Sequence, residues 1–406
     1  MTSLAQIKNW TKCFPFDEGE LEIILRCHAS LSKEKEGGSF LNTLAHSFPY
    51  VFFFLPNDEM EIRTSVVEEY ILPQGFGGKF KKAIFPVEGI ENEEEEIEKL
   101  INGVANCCRR EPKDSLGVIF DCCCDEAGLA DPGDLIDLCY RITVAAEILV
   151  SKHMDEKRTK ALSKELIPLH GLKRSLSEKA IDGSKVKKFD FLEWATATAP
   201  YIYACLPTFT HNLIFHGKST KLHHEESFVN PELLDSSNIF TSLDPSLLFG
   251  ICCMAPKLGG KWRRLYSSKM EESPINRLHS AINQHVGPSV FIIKTKSGSI
   301  FGGCSETLWK FCYFLFEIEP SASIYKAIRS TSSGKFYINH DETIMTDAGE
   351  LKGFGFYEDD DDATKWNTSH IFFSYPVDLC FASFLTKTTV KVDTLEVWGL
   401  GEELYE

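Results

Sequence analysis

The sequence predicts an α+β protein, with a helical first half followed by an antiparallel β unit carrying flanking helices. Three observations lead there. Up to about residue 150, apolar residues recur at helical spacing. After about residue 235, short β-rich runs separated by turn residues replace that pattern. With 406 residues, 43% hydrophobic and 25% charged, the chain has ordinary globular composition and enough apolar material for two cores of ~100–200 residues each.

Taken in order, Gly19 to Leu31 sets Leu21, Ile24, Leu25 and Leu31 near helical spacing behind the acidic starters Asp17 and Glu18. Pro49 to Pro56 holds the densest apolar run, too short to span a bilayer and read as buried core. Glu93 to Glu96 is a like-charge run, read as a solvated face or loop. Leu135 to Val150 is amphipathic, with Leu135, Leu138, Cys139, Ile142, Ala145 and Leu149 on one side. Residues 1–150 therefore read as a helical domain. Residues 151–188 are rich in lysine and arginine, interrupted by Gly171 and Gly183, and read as a basic linker. Residues 189–234 read as a partly helical connector broken at Pro200 and Pro207.

The unit 235–406 opens with a helix over Ser242 to Cys253, capped by Ser242. Ser289 to Lys294 is a strand, Lys296-Ser297-Gly298 a turn, and Ser299 to Phe301 begins the return strand. Cys312 to Ile318, Lys335 to Ile338 and Leu395 to Trp398 are further strands.

The net charge of −16 argues against a sequence-independent nucleic-acid binder, which needs a basic face. It suits docking onto a basic protein surface. Fourteen cysteines, several adjacent (Cys107-Cys108, Cys122-Cys123-Cys124, Cys252-Cys253), point to free thiols in a reducing, cytosolic compartment. Met1 to Asn9 lacks the apolar core of a signal peptide, and Thr2 is not the glycine that myristoylation needs.

No catalytic constellation is recognised, and no cofactor is implied. Gly75-Phe76-Gly77-Gly78-Lys79-Phe80 and Gly259-Gly260-Lys261-Trp262 each lack the Ser or Thr that follows a phosphate-loop lysine, so both read as glycine turns. Cys205, His211, His216, His223 and His224 match no zinc spacing. Phe120 to Leu135 has the outline of an EF-hand around Gly128, but cysteines occupy its approach and Asp131-Pro132-Gly133 replaces the closing Glu region. This predicts a degenerate, EF-hand-like domain without metal. The acidic run Glu358 to Asp362 reads as a solvated loop.

Six short elements then fall in order. They are Trp262-Arg263-Arg264-Leu265-Tyr266-Ser267-Ser268, Gly287-Pro288 before its strand, Ile300-Phe301-Gly302-Gly303 followed by Trp309, Phe314-Leu315-Phe316, Gly353-Phe354-Gly355, and Leu395-Glu396-Val397-Trp398-Gly399. Together they resemble the TLDc family. The resemblance implies an antiparallel β-sandwich with flanking helices, framed by Trp262, Tyr266, Ser267, Gly287, Pro288, Gly302, Gly303, Trp309, Gly353, Gly355, Glu396, Trp398 and Gly399 as structural or partner-binding positions. Trp309 and Trp398 read as core anchors.

The first half loosely resembles the mTOR-associated branch of that family, through its EF-hand-like region and Phe191-Leu192-Glu193-Trp194. The chain departs from that branch at Thr2, in the acidic run after Gly355, and in ending at Glu406 without a further helix. The family is tied to oxidation resistance, the vacuolar proton-pumping ATPase (V-ATPase) and lysosomal mTOR signalling. The resemblance therefore implies a non-enzymatic cytoplasmic adaptor that binds the pump or a related lysosomal or vacuolar assembly. The basic linker is the candidate for peripheral membrane contact. Two alternatives stand beside it: a cysteine-based redox-protective protein or enzyme, and a calcium-responsive sensor.

Overall fold

The computed structural model describes residues 4–31, 67–84, 92–150, 169–180, 184–215, 232–233, 245–254, 258, 260–269, 284–285, 287–305, 312–326, 338–339, 353–357, 370–374 and 390–400. Two compact units emerge: Met1–Leu169 with Leu176–Phe228, and His170–Ser175 with Val229–Glu406. The protein mixes helix with largely antiparallel sheet.

The first unit is built from helices. α1 (Leu4–Cys13) and α2 (Glu18–Leu31) open it. α2 starts with a reciprocal capping box: Glu20 N donates to Asp17 Oδ1 at 2.9 Å, and Asp17 N donates to Glu20 Oε2 at 3.1 Å. A single π turn (Val67–Ile71) precedes α3 (Phe76–Ile84). The run expected to be only a glycine turn thus continues as a helix. Gly75 takes φ +81°, and burial of Phe76 and Phe80 supplies the driving force.

α4 (Glu93–Cys108) begins with the acidic run, which Asn92 caps by accepting Glu95 N. Acidic side chains at a helix N-terminus meet the positive end of its dipole, so this run is a helical first turn. α5 (Pro112–Cys123), β1 (Leu129–Ala130) and α6 (Pro132–Val150) follow. α7 (His170–Ser177) arises inside the stretch read as linker, and its first six residues belong to the second unit.

β2 (Val186–Lys187), α8 (Lys188–Thr198) and α9 (Cys205–Phe215) complete the first unit. A 3₁₀ turn at Ile202–Ala204 marks the break expected near Pro200. Pro207 does not break the chain. It sits in the first turn of α9, where no intrahelical partner is needed for the N–H that proline lacks.

The apolar faces of α3 and α9 meet through Phe76, Phe80 and Phe209, whose ring centroids lie 5.2–6.3 Å apart. Among the described residues of this unit an ion pair is buried. Arg109 Nη2 donates to Glu20 Oε1 at 2.7 Å, with both side chains under a tenth exposed. The guanidinium also lies 5.9 Å from the Phe16 ring centroid and 5.5 Å from that of Phe215. Glu20 thereby closes the α2 cap with one oxygen and holds the end of α4 with the other.

The second unit contains β3 (Glu232–Leu233), α10 (Pro245–Met254), β4 (Lys261–Ser267), β5 (Ser289–Thr295), β6 (Ile300–Ser305), β7 (Cys312–Glu319), β8 (Ser323–Lys326), β9 (Ile338–Asn339), β10 (Gly353–Tyr357), β11 (His370–Ser374) and β12 (Val390–Leu400). The strand order is β8-β7-β6-β5-β12-β11-β10-β9, with β4 also paired to β12 and β3 to β4. β3–β4 and β9–β10 are parallel and the remaining pairs antiparallel. α10 starts at Pro245, a favoured first helical residue. The anticipated Ser242 cap and the Pro49–Pro56 run lie outside the described residues.

The Glu20–Arg109 pair yields a stability test. Removing one member of a buried pair strands the other, so Arg109→Leu should destabilise the full chain by about 3–5 kcal/mol. Combining it with Glu20→Leu should recover part of that loss. Urea unfolding followed by circular dichroism reads both values. A single variant as stable as the native chain would contradict the packing described.

Candidate functional site

Trp262, Tyr266, Ser267, Glu396, Trp398 and Gly399 converge on β12 and its pairing with β4. Trp262 on β4 and Trp398 on β12 are fully buried, with ring centroids 6.3 Å apart. Trp262 Nε1 donates to Leu258 O at 2.7 Å, which satisfies its polar edge. Trp398 Nε1 donates to Glu396 Oε2 at 3.2 Å. Glu396 has no exposed surface, so this bond helps offset the cost of burying a carboxyl group. Across the ladder Glu396 faces Ser267, and Val397 faces Tyr266; both partners are buried. Arg264 stacks its guanidinium 5.9 Å from the Trp398 ring centroid.

The glycines have distinct jobs. Gly302 on β6 faces Phe316 in the β6–β7 register, and a Cβ there would lie 2.6 Å from the Phe316 ring and 2.1 Å from Phe291 O. Glycine lets the aromatic ring lie across the strand. Gly303 pairs with Phe291 and Leu315. Gly353 and Gly355 lie on β10, opposite Ser374 and Phe372 of β11.

Gly287, Pro288 and Gly399 meet around a residue that the motif does not include. A Cβ on Gly399 would come within 2.6 Å of the His285 ring, and one on Gly287 within 3.2 Å. His285 Nε2 lies 3.0 Å from Pro288 O, which also accepts Leu400 N at 2.9 Å. His285 is thus the ring that requires glycine at position 399. The available signal in the sequence was the glycine itself, which marks a close neighbour without naming it. Trp309 lies outside the described residues, as do His216, His223, His224 and the Glu358–Asp362 run.

On β7, burial pushes the Glu317 carboxyl up to about 7. Buried thiols shift the same way. Desolvation lifts Cys27, Cys108 and Cys122 to about 12, and raises Cys107, Cys139 and Cys252 as well. A thiol raised so far carries almost no nucleophilic thiolate at neutral pH.

The loop between α5 and α6 has the shape that suggested calcium, with Gly128 at φ +71°. β1 then pairs antiparallel with β2, Leu129 opposite Lys187 and Ala130 opposite Val186. The donor set does not fit the ion. Asp125 Oδ1 accepts Ala127 N and Leu129 N, and Lys185 Nζ takes its Oδ2. The Lys185 ammonium, followed by the Leu129 amide, holds the Asp125 carboxyl below its usual range. Asp131 Oδ1 accepts Gly133 N and Asp134 N. Lys188 Nζ donates to both carboxylate oxygens of Asp121, and Lys79 Nζ to Cys124 O. Lysines thus meet the carboxylates and carbonyl on which a metal would draw. Among the described residues, no three His, Cys, Asp or Glu side chains are placed to hold a metal ion.

Cys205 and His211, two of the residues weighed for zinc, are buried on α9. The His211 ring centroid lies 5.7 Å from that of Phe215. No helix among the described residues is long and apolar enough to cross a membrane.

This framework matches a known family. The profile of the TLDc domain family aligns with residues 233–401, and that part of the chain is a TLDc domain. Three relatives that it resembles share one name. MTOR-associated protein MEAK7 of Gallus gallus is 28% identical over 174 residues, covering 39% of this chain and 35% of the relative. The Danio rerio protein of that name is 27% identical over 173 residues, covering 39% and 37%. The Xenopus laevis protein is 23% identical over 252 residues, covering 55% and 53%. The chain thus spans between about a third and about half the length of these relatives.

The ring over Gly399 can be tested by a double-mutant cycle. Gly399→Ala forces a Cβ into His285 and should cost about 1–3 kcal/mol, the usual scale of overpacking. His285→Ala in the same chain should recover much of that loss. Thermal unfolding of the four proteins measures the coupling, and additive effects would refute the contact.

Proposed function

We propose that the protein is a non-enzymatic TLDc adaptor or regulatory protein. Its partner on this reading is the V-ATPase or a related lysosomal or vacuolar signalling assembly. The role extends to oxidative-stress resistance, in line with the family resemblance. The observation that carries the reading is how the described motif side chains are used. Trp262, Tyr266, Ser267, Glu396 and Trp398 are spent on core packing and the sheet ladder. A motif used in that way builds a rigid frame, and a rigid frame presenting surface loops suits partner binding. The name shared by the relatives, MTOR-associated protein, supports a place in a signalling assembly. We place the protein in the cytoplasm, peripheral to lysosomal or vacuolar membrane, with the basic stretch 151–188 as its lipid-facing contact.

The helix–loop–helix of the first unit supports an EF-hand-like ancestry in which lysines have displaced calcium chemistry. That favours the adaptor over the calcium sensor. The raised, buried thiols favour it over cysteine-based redox chemistry.

Two measurements test these readings. Affinity capture with the folded full chain, followed by mass spectrometry, should recover V-ATPase subunits. A folded bait that recovers none would refute the proposed partner. Thiol labelling under native conditions should modify the exposed Cys13 quickly, and Cys27, Cys107, Cys108, Cys139, Cys205 and Cys252 only as slowly as the protein opens. Fast labelling at any buried position would revive the redox alternative.

A further inference from the structure

Among the described residues, the large apolar side chains left exposed are Val150, at 45%, and Phe189, at 73%. Both belong to the first unit. In the sequence they bracket the lysine- and arginine-rich stretch 151–188. Val150 ends α6 just before it, and Phe189 lies in the first turn of α8 just after it. The buried side of α8 anchors that helix. Phe191 and Trp194 are buried with ring centroids 6.2 Å apart, and the Phe191 ring lies 6.2 Å from that of Phe120 on α5. Phe189, Glu193, Thr196 and Ala197 recur at helical spacing and are all exposed, so the Phe189 ring is held away from that core. Three lysines precede the ring. Lys185 pairs with Asp125 and Lys188 with Asp121, which compensates both aspartates. Lys187 is exposed, and among the described residues no carboxylate pairs with it. The acids of α8 itself are the half-buried Asp190 and the exposed Glu193 one turn further on. A lone exposed ring is ordinary in water; a ring beside an exposed ammonium, at the border of a basic stretch, is an amphipathic corner.

We propose that this corner is a membrane-contact site, in which Phe189 enters the boundary between headgroups and acyl chains of an anionic bilayer and Lys187 meets the lipid headgroups. The inference rests on the reading of 151–188 as lipid-facing and names the side chain that enters the bilayer. Charge decides the occupant. An anionic leaflet attracts lysines at the surface of a protein, and this attraction fades within a Debye length. The ring then gains what water denies it, because burial of its apolar area is favourable. The Lys185–Asp125 and Lys188–Asp121 pairs hold β2 and the start of α8 against the loop and α5, so the ring is presented from a fixed frame. One ring and a few lysines make a reversible contact, sensitive to salt and to lipid composition.

Vesicle binding by the full chain tests this. The native chain should co-sediment with equimolar phosphatidylcholine–phosphatidylserine vesicles and only weakly with phosphatidylcholine alone. Phe189→Ala should lower its partitioning onto the anionic vesicles by about tenfold, the scale of one buried aromatic side chain. Lys187→Glu should lower it as well. Both positions are exposed, so circular dichroism should remain native. A second measurement separates insertion from adsorption. Phe189→Trp should gain fluorescence quenching by vesicles with brominated acyl chains, relative to the native chain with its own tryptophans. If the native chain binds anionic vesicles but Phe189→Ala binds equally well and Phe189→Trp gains no quenching, Phe189 is not the inserted residue, and the basic stretch alone makes the contact. If the native chain binds neither kind of vesicle, the lipid-facing reading falls and this site with it. Vesicle binding unchanged in Phe189→Ala, with loss of a captured protein instead, would assign the ring to a protein partner and overturn the proposal.

Discussion

β12 is hydrogen-bonded along both of its edges, and the second unit depends on that double pairing. β5 follows it from Val392 to Gly399, β4 from Glu396 to Leu400, and β11 meets its beginning at Val390 and Lys391. From Thr394 to Leu400 the strand is also covered on both faces, and every side chain there is buried. The consequences follow in order. Glu396 must find a donor inside the core, and Trp398 provides one. Trp398 must pack against something as large as itself, and Trp262 provides that. Gly399 has no side chain because the His285 ring already fills the space. β4 and β12 are separated by well over a hundred residues of chain, so this core closes only after a long loop closure.

In the first unit, Glu20 unites two tasks that are usually separate. One carboxylate oxygen finishes the α2 cap, and the other receives Arg109 from the end of α4. Burial strengthens the attraction and also makes it costly to lose either partner. A few residues further on, the α5–α6 loop solves a charge problem in a different way. Its aspartates, with Asp121 at the end of α5, turn to backbone amides and to Lys185 and Lys188, while Lys79 of α3 donates to Cys124 O. That distribution pairs the loop's carboxylates with ammonium groups and amides.

These two arrangements bear on function together. A TLDc motif whose described side chains are committed to the core leaves recognition to surfaces and loops, and the first unit brings paired surface charges to the same chain. Both features suit a protein that acts by being held against partners.

Much of the architecture was legible in the sequence because it rests on local physics. Periodicity placed α2 and α6 within a few residues of their ends, and β-branched runs with a Lys-Ser-Gly turn placed the β5–β6 hairpin. Ordered motifs identified the TLDc domain and named most of the residues around β12. What sequence reasoning missed depends on partners distant along the chain. Pro207 looked like a break until the structure set it in the first turn of α9. The linker stretch hid α7, because the hold on Gly171 comes from Ile318, Glu319 and Ala322. His285 lies outside every motif, yet its ring is what gives Gly399 its reason. By itself the sequence determined the segments, their periodicities and the family of the second half, since those follow from propensity, spacing and pattern. Only the tertiary structure decided the registers, the occupants of each glycine's space and the lysines in the calcium-like loop. Those depend on which distant groups arrive within a few ångströms, and linear spacing does not encode that.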